Sequence, residues 1–465
     1  MELLSALEIV PGEQVALVGG GGKTGLAYQL MVEARRRGWT ALFTTTTRVL
    51  PIPGETFVLM EEEPSPETLR RRLREELSLF LASRRLPEWD ETPAGRQQKL
   101  GGFSPEEVDR LAGELGPDLL LVEADGSRHR PFKAPAPYEP PIPAGTTLVL
   151  VLAGLSVLGR PLEAAWVHRP ARAAELAGVP PGTIVDEALM ARVLAHPEGG
   201  RKGVPPGART AAVLTQAVPE RLPEGRRVAR RLLECPDLER VLLVDLEDLG
   251  RAEVWRRDRS GNPRWGERAE GVYAVCLAAG GARRMGQNKL LLPLASRALL
   301  AHAVDAALGS RADEVWVVLG AEAERQREAL GTRPVRFLEN ERWAEGQASS
   351  IHAAVRALGE GAGALLFLAG DMPRIRPAHL DRLIERFEAG AAVVWSAEEG
   401  RRGIPALFAR ETFPALLQLA GDIGGRALAG KFPEAVVEAS AGELLDVDTP
   451  ADYLEAERWM VKVGT

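Results

Sequence analysis

Two stretches of this chain repeat one local plan: an apolar strand, a glycine-rich turn, then a helix. The first has its strand at Gln14–Val18, its turn at Gly19–Gly22, and a helix whose Leu26, Leu30 and Ala34 share one face up to Gly38. The second has its strand at Val272–Ala278 and its turn from Ala279 to Gly286. Further near-continuous apolar runs at 41–43, 119–122, 147–152, 241–244, 315–319, 364–368 and 391–395 read as strands buried on both faces. Helix signals lie between them. Ser65-Pro66 precedes Leu69, Leu73, Leu77 and Phe80, and Ser104-Pro105-Glu106-Glu107 has capping-box spacing. Strand–helix alternation of this kind predicts an α/β chain whose sheets are mainly parallel and flanked by helices.

The chain has 465 residues, too many for one core at about 150 residues per domain. The stretch from Arg256 to Gly271 is charged, carries Ser-Gly-Asn-Pro and lacks either apolar period. We therefore expect a first domain over 1–255, a linker over 256–271 and a second domain over 272–465. With 58 basic and 65 acidic residues the net charge is -7, which argues against attachment to nucleic acid or an anionic membrane by bulk charge. No stretch approaches the roughly 18 apolar residues of a membrane span, and Met1–Val10 lacks the order of a signal peptide; a cytoplasmic protein is the expectation. Two cysteines, Cys235 and Cys276, exclude a disulfide framework or a thiolate metal cluster. Positive charge is supplied almost wholly by arginine, yet lysines stand in both glycine-rich segments, Lys23 and Lys289. A compact ammonium fits against a phosphate oxygen where a planar guanidinium does not.

In the second half, Leu277 to Lys289 reads LAAGGARRMGQNK. The backbone of Leu277, Ala278, Ala279, Gly280 and Gly281 offers amides to a triphosphate, and Arg284 and Lys289 offer positive charge. An ordinary strand–turn–helix with surface arginines fits the loop alone. LFLAGDMP, Leu366–Pro373, then delivers Asp371 at a strand end, and LLDVDTP, Leu444–Pro450, reads as another strand end bearing Asp446 and Asp448. Each aspartate alone could be a cap or turn residue. Together Asp371 and Asp448 are the hard-oxygen pair that Mg²⁺ needs while bridging nucleotide phosphates.

From Tyr273 to Lys462 the chain resembles the molybdenum cofactor nucleotidyltransferases, and within them the cytidylyltransferase branch. The resemblance rests on LAAG-x-x-x-RMG-x-x-K at 277–289 and on Asn340, Trp343, Gly346, Ser349 and Ser350. It continues through GDMP at 370–373, GD-x-G-x-R at 421–426 and DVDTP at 446–450. It implies a Rossmann-like sheet that transfers CMP from CTP to the phosphate of Mo-molybdopterin, releasing pyrophosphate. Ser350 would join the nucleotide contacts, and Asp422 and Arg426 the acceptor side. Guanylyl-transferring relatives typically read LAGG, so Ala279 favours cytosine. Ile404-Pro405 replaces the family's His-Pro.

The first half reads VALVGGGGKTG at Val15–Gly25. A full P-loop places a glycine five residues before the Gly-Lys pair's glycine, and here Leu17 stands there, so the turn is P-loop-like and not a P-loop. Gly20, Gly21, Gly22, Lys23 and Thr24 still present amides, an ammonium and a hydroxyl to one anion; a structural glycine turn is the competing view. Thr46, in the run Thr44–Thr47, is either a second hydroxyl at that edge or a β-branched strand end. LLLVEADGSRHRPFKAP, 119–135, brings Glu123, Asp125 and Lys133. With EPPIP at 139–143, VHRP at 167–170 and GRKG at 200–203, it resembles the YqeC-like family of accessory proteins for selenium-dependent hydroxylases. That resemblance spans Leu4 to Leu249. It implies a nucleotide-binding core, for ATP or GTP, and a role in maturing a client molybdenum hydroxylase. The base-reading motif N-K-x-D is absent, since 214–218 reads LTQAV. His129 and His168 lie in these motifs; His196, His302, His352 and His379 read as helix or loop residues. Three other functions remain open on the sequence: guanylyl transfer to molybdopterin, nucleotidyl transfer to a sugar or polyol phosphate, and a non-catalytic cofactor carrier or insertion chaperone.

Overall fold

The computed structural model describes residues 2–52, 57–62, 65–92, 95–257, 263–265, 271–280, 288–422 and 424–463. The chain divides into two compact units, Met1–Arg257 and Asp258–Thr465. Within 256–271, residues 256–257 end a strand, 263–265 form a short strand and 271 opens the next; the others lie outside the described residues.

In the first unit the strands are β1 (Glu13–Gly19), β2 (Ala41–Thr45), β3 (Phe57–Leu59), β4 (Ser78–Ala82), β5 (Leu119–Glu123), β6 (Leu148–Gly154), β7 (Arg209–Thr215), β8 (Arg240–Asp245) and β9 (Asp248–Arg257). They lie in the order β9-β8-β7-β6-β1-β5-β2-β4-β3. Every pairing from β3 to β8 is parallel, and only the β8–β9 hairpin is antiparallel. The apolar runs explain this. Residues buried on both faces suit strands covered by helices on two sides, and all five residues of β2, β4 and β5 are buried. The order places β1 and its glycine turn between β6 and β5, so Glu123 emerges beside that turn.

The helix expected after Ser65 ends sooner than its apolar spacing suggests. It spans Pro66–Glu76, Leu77 adopts a left-handed φ of 60°, and Phe80 belongs to β4. SLFLA is apolar at nearly every position, and packing Phe80 on Phe43 with ring centroids 4.9 Å apart satisfies it better than one helix face could. A hairpin over Arg84–Thr92 and Gly95–Gly101, joined by Arg48–Val49, was not foreseen; its polar sequence carries little strand signal.

In the second unit the strands are β10 (Gly271–Leu277), β11 (Glu314–Leu319), β12 (Arg336–Glu339), β13 (Ala362–Ala369), β14 (Val393–Glu398), β15 (Arg401–Ala409) and β16 (Glu434–Glu438). Their order is β12-β11-β10-β13-β15-β14-β16, with β15 antiparallel to both neighbours. Leu444–Pro450 is not a strand end. It runs without a ladder into the helix Pro450–Val463, anchored by buried Val447, whose N–H donates to Asp371 O at 3.1 Å.

Ser104 and Glu107 form the capping box that their spacing implied, with Oγ accepting from Glu107 N at 3.2 Å and Oε2 from Ser104 N at 2.7 Å. Ser104→Ala is expected to lower the stability of the first unit by about 1 kcal/mol, read as a shift of the urea midpoint with unchanged slope.

Candidate functional site

The first glycine turn is tightly enclosed. A Cβ on Gly19, at φ +98°, would lie 2.2 Å from Leu152 O, and one on Gly20 would lie 2.7 Å from Arg130 O. Gly20 N–H already donates to Leu152 O and Gly21 N–H to Arg130 O, at 3.0 and 3.2 Å. Thr215 Oγ1 donates to Gly21 O. An anion would therefore be met from Gly22 onward, where the helix Lys23–Arg36 begins without a side-chain cap.

Around that helix start, the sequence-derived candidates converge. Lys23, 4% exposed, donates from Nζ to Gly19 O at 2.7 Å and lies 3.1 Å from Asp125 Oδ1 and 3.9 Å from Glu123 Oε1. Asp125 Oδ2 accepts from Gly19 N–H at 3.0 Å. Thr24 Oγ1 donates to Glu123 Oε2 at 2.8 Å. Lys133 Nζ reaches Asp125 Oδ2 at 3.0 Å, Glu139 Oε2 at 2.9 Å and Gly126 O at 2.7 Å. Arg169 then grips Glu139 with two hydrogen bonds of 2.7 and 2.9 Å. The result is a line of alternating charge, Lys23, Asp125, Lys133, Glu139, Arg169, that starts at the ends of β1 and β5 and is buried at its first three members. Burial opposes the charge on Lys23, but Asp125 and Glu123 outweigh it and hold the ammonium above its ordinary pKa. Burial pushes Glu123 up against the pull of Lys23 and Thr24. Burial also acts to raise Glu139, yet Arg169 and Lys133 bring it down to about 2.

Glu139 and Arg169 complete this line, and spacing could not select them: 30 residues apart, they meet only through the fold. Thr46 serves the framework instead of facing an anion; its Oγ1 donates to Pro141 O at 2.9 Å. Lys202 of the GRKG segment likewise ties the proline-rich loop, through Ala136 O and Pro137 O. His129 bonds Asp90 at 3.2 Å.

In the second unit, Leu277 ends β10 and its carbonyl accepts from Gly370 N–H at 3.0 Å, setting the two strand ends side by side. Ala278 is pinned by Val318 O and Gln326 Nε2, buried Ala279 packs against Gly320, and Gly280 is exposed. Gly281 and Arg284 lie outside the described residues. Lys289 Nζ stands between Asp371 Oδ2 at 2.7 Å and Asp448 Oδ1 at 2.6 Å. Burial opposes its charge, and the two carboxylates reverse that and hold it high. Asp446 does not touch Lys289 in this way; burial and the neighbouring Asp371 and Asp448 push its carboxyl up. Asp371 Oδ1 is buried with no hydrogen-bond partner.

Ser350 and Ser349 both accept from Asn340 Nδ2, at 3.0 and 2.9 Å, so buried Asn340 fixes the start of the helix Gln347–Leu358. Asp422 is exposed beside Gly346, where a Cβ would lie 2.7 Å from its Oδ1, and exposed Arg426 lies beside Gly403. Among the described residues, no three His, Cys, Asp or Glu side chains are grouped to hold a metal unaided, and no helix is long and apolar enough to cross a membrane.

Residues 15–171 match the YqeC protein family and residues 274–436 the MobA-like NTP transferase domain. The uncharacterized protein YqeC of Escherichia coli K12 is 32% identical over 210 residues, 44% of this chain and 78% of that protein. The purine catabolism protein PucB of Bacillus subtilis 168 is 36% identical over 202 residues, 41% of this chain and 97% of that protein. The crystal structure of Rv0371c from Mycobacterium tuberculosis H37Rv is similar at 30% identity and a TM-score of 0.37, over 41% of this chain and 100% of that one. Fold and site define a two-unit α/β protein in which each mainly parallel sheet carries a glycine-rich turn and a lysine held by carboxylates. The chain belongs to the YqeC family through its first unit and to the MobA-like NTP transferase family through its second, which is a nucleotidyltransferase domain.

His168 supplies a test of the first charge line. Burial and the cations Arg169, Lys133 and Arg128 lower its pKa to about 4. The unfolded chain takes up that proton near pH 6.5, so this residue's contribution to stability falls as pH drops from about 6.5 to about 4. His168→Gln should therefore gain on the native chain across that window, by about 2 kcal/mol after allowing for partial exposure. Urea midpoints at pH 7 and pH 4.5 measure it.

Proposed function

We propose that this chain is a bifunctional protein of molybdenum cofactor maturation. Its second unit transfers CMP from CTP to the phosphate of Mo-molybdopterin. Its first unit is a nucleotide-binding accessory module, taking ATP or GTP, that serves a client molybdenum hydroxylase, selenium-dependent enzymes included. The observation that carries the reading is the placement of Lys289 between Asp371 and Asp448, beside the turn that opens at Leu277.

In the reaction, an oxygen of the acceptor phosphate attacks the α-phosphorus of CTP in line, the bond to the β-phosphate breaks, and pyrophosphate leaves. No protein nucleophile is needed. The chain's part is to position two anions and to neutralise the charge that shifts toward the leaving group. Lys289, kept protonated by its carboxylate neighbours, supplies fixed positive charge, and Arg284 adds to it from the glycine-rich loop. The amides of Ala279 and Gly280 are assigned to the triphosphate, since that of Ala278 is already given to Val318 O. The described residues fit a divalent cation: Asp371 Oδ1 is buried and unpartnered, and Asp448 stands across Lys289 from it. Among the described residues two carboxylates do not complete such a site, so a cation held by Asp371 and Asp448 would also need the nucleotide's phosphates. Mg²⁺ held there would add charge neutralisation at the phosphates. Asp422 and Arg426 are assigned to the acceptor side, and Ala279 in the LAAG turn favours CTP over GTP.

For the first unit, Thr24 against Glu123 is the pairing of hydroxyl and carboxylate that a nucleotide-bound Mg²⁺ would meet, with Lys23 beside it. The engaged amides of Gly20 and Gly21 favour a second reading, in which the turn is structural and the unit is a docking module. The name of the Bacillus subtilis relative, a purine catabolism protein, agrees with a client acting on purines. Joining the two units raises the effective concentration of product at the accessory module.

Asp371→Asn in the full chain should cut pyrophosphate release from CTP and Mo-molybdopterin by about 100-fold or more, with thermal unfolding little changed. Near-normal turnover would sink the metal assignment, and preference for GTP would move the domain to guanylyl transfer. In the Asp371→Asn background, Mg²⁺-dependent binding of ATP or GTP should be lost on adding Lys23→Ala. Binding that survives Lys23→Ala would remove the nucleotide site from the first turn.

A further inference from the structure

β13 ends in Gly370-Asp371-Met372-Pro373, and the next residue turns inward: Arg374 is 6% exposed. A guanidinium so far withdrawn from water needs partners close by. Its partners lie on the segment that carries Asp448. Nη2 donates to Glu455 O at 2.8 Å, and Nη1 donates to Gly442 O at 3.4 Å and lies 3.0 Å from Glu455 Oε1. The guanidinium carbon is 5.7 Å from the Trp459 ring centroid. Gly442 and Glu455 bracket Asp446 and Asp448. Gly442 has a φ of +72°, which favours glycine, and a Cβ there would lie 2.8 Å from Arg374 Nη1 and push the guanidinium aside. Arg376 repeats the contact more weakly, 3.3 and 3.4 Å from the Glu443 carboxylate.

A strand residue is placed by its ladder. Asp448 has none: its segment meets the Asp371 loop through one backbone hydrogen bond, Val447 N–H to Asp371 O. Locally, Asp452 Oδ2 accepts from Asp448 N–H and Thr449 N–H at 3.0 and 2.7 Å, which fixes how Asp448 leaves the helix Pro450–Val463 but not where that helix sits. Arg374 answers that second question, and it does so from three residues beyond Asp371.

We propose that Arg374 is a positioning residue for nucleotidyl transfer: it clamps the segment from Gly442 to Trp459 so that the Asp448 carboxylate faces Asp371 and Lys289. The inference rests on the transferase reading above. Groups that orient ligands in this way typically control metal affinity by 10- to 100-fold.

The experiment compares Arg374→Met, Arg374→Lys and the native full chain. Pyrophosphate release is titrated with Mg²⁺ at saturating CTP, and Mn²⁺ binding is measured with CTP present. For Arg374→Met, the Mg²⁺ concentration at half-maximal rate should rise about tenfold or more. The rate at saturating Mg²⁺ and the KM for CTP there should stay within about twofold, a margin small against that shift. Mn²⁺ affinity should weaken in parallel, and Arg374→Lys, which keeps the charge but not the fork, should fall between. If Arg374→Met does not fold, Trp459→Leu serves, with a smaller shift in the same direction. An unchanged Mg²⁺ curve in a variant that merely melts earlier would overturn the clamp. If the native chain releases no pyrophosphate from CTP while Mn²⁺ binding still weakens in Arg374→Met, the clamp stands and the transferase reading falls.

Discussion

A charge removed from water must be compensated where it is buried, and both units are organised around that demand. In the first, Lys23, Asp125, Lys133, Glu139 and Arg169 alternate in sign across the ends of β1 and β5. Removing one member would strand its neighbours, so the line binds the proline-rich loop to the glycine turn more firmly than a single pair could. In the second, Lys289 is shared by Asp371 and Asp448. The sheets deliver Asp125 and Asp371 just past the ends of β5 and β13, where strands buried on both faces give way to polar residues, while Asp448 comes from a segment without a ladder.

The two units share a strand and a glycine-rich turn; the first turn runs into the helix Lys23–Arg36, while after the second the described chain resumes with the single 3₁₀ turn Lys289–Leu291. In the first turn Leu152 O, Arg130 O and Gly154 N approach Gly19, Gly20 and Gly21 too closely for any Cβ, and Gly22 is exposed. Two amides of that turn are engaged by those neighbouring carbonyls. The second turn is fixed at Leu277 to Ala279 by β11, β13 and Gln326, and Gly280 stands exposed. In both, the strand end is held by neighbouring carbonyls and an exposed glycine follows, Gly22 in the first and Gly280 in the second. The second unit adds a buried carboxylate oxygen of Asp371 that has no partner.

Much of this was legible in the sequence where local rules govern. The β5 and β13 runs ended at Glu123 and Ala369 as their apolar stretches required, and Ser104 capped its helix through Glu107. Lys289 and Asp371 emerged from motif strings as members of one cluster. Legibility failed where long-range packing decides. Phe80 left its apparent helix face because the strand SLFLA could bury it beside Phe43. LLDVDTP has the apolar start of a strand, but it forms no ladder, and within it Val447 is the residue drawn inside. Arg169, Asn340 and Arg374 were present in the quoted strings or beside them; their partners, 30, 9 and 81 residues away, are set by topology and by no spacing rule.

Lys289 and Asp448 are 159 residues apart in sequence. The cluster therefore exists only when Lys289, Asp371 just past β13 and Asp448 just before the helix Pro450–Val463 are all in place. Removing that helix with the segment before it would leave every strand from β10 to β16 in the chain and still take Asp448 away. Competence at this cluster is thus a property of the whole second unit and not of its glycine-rich turn alone.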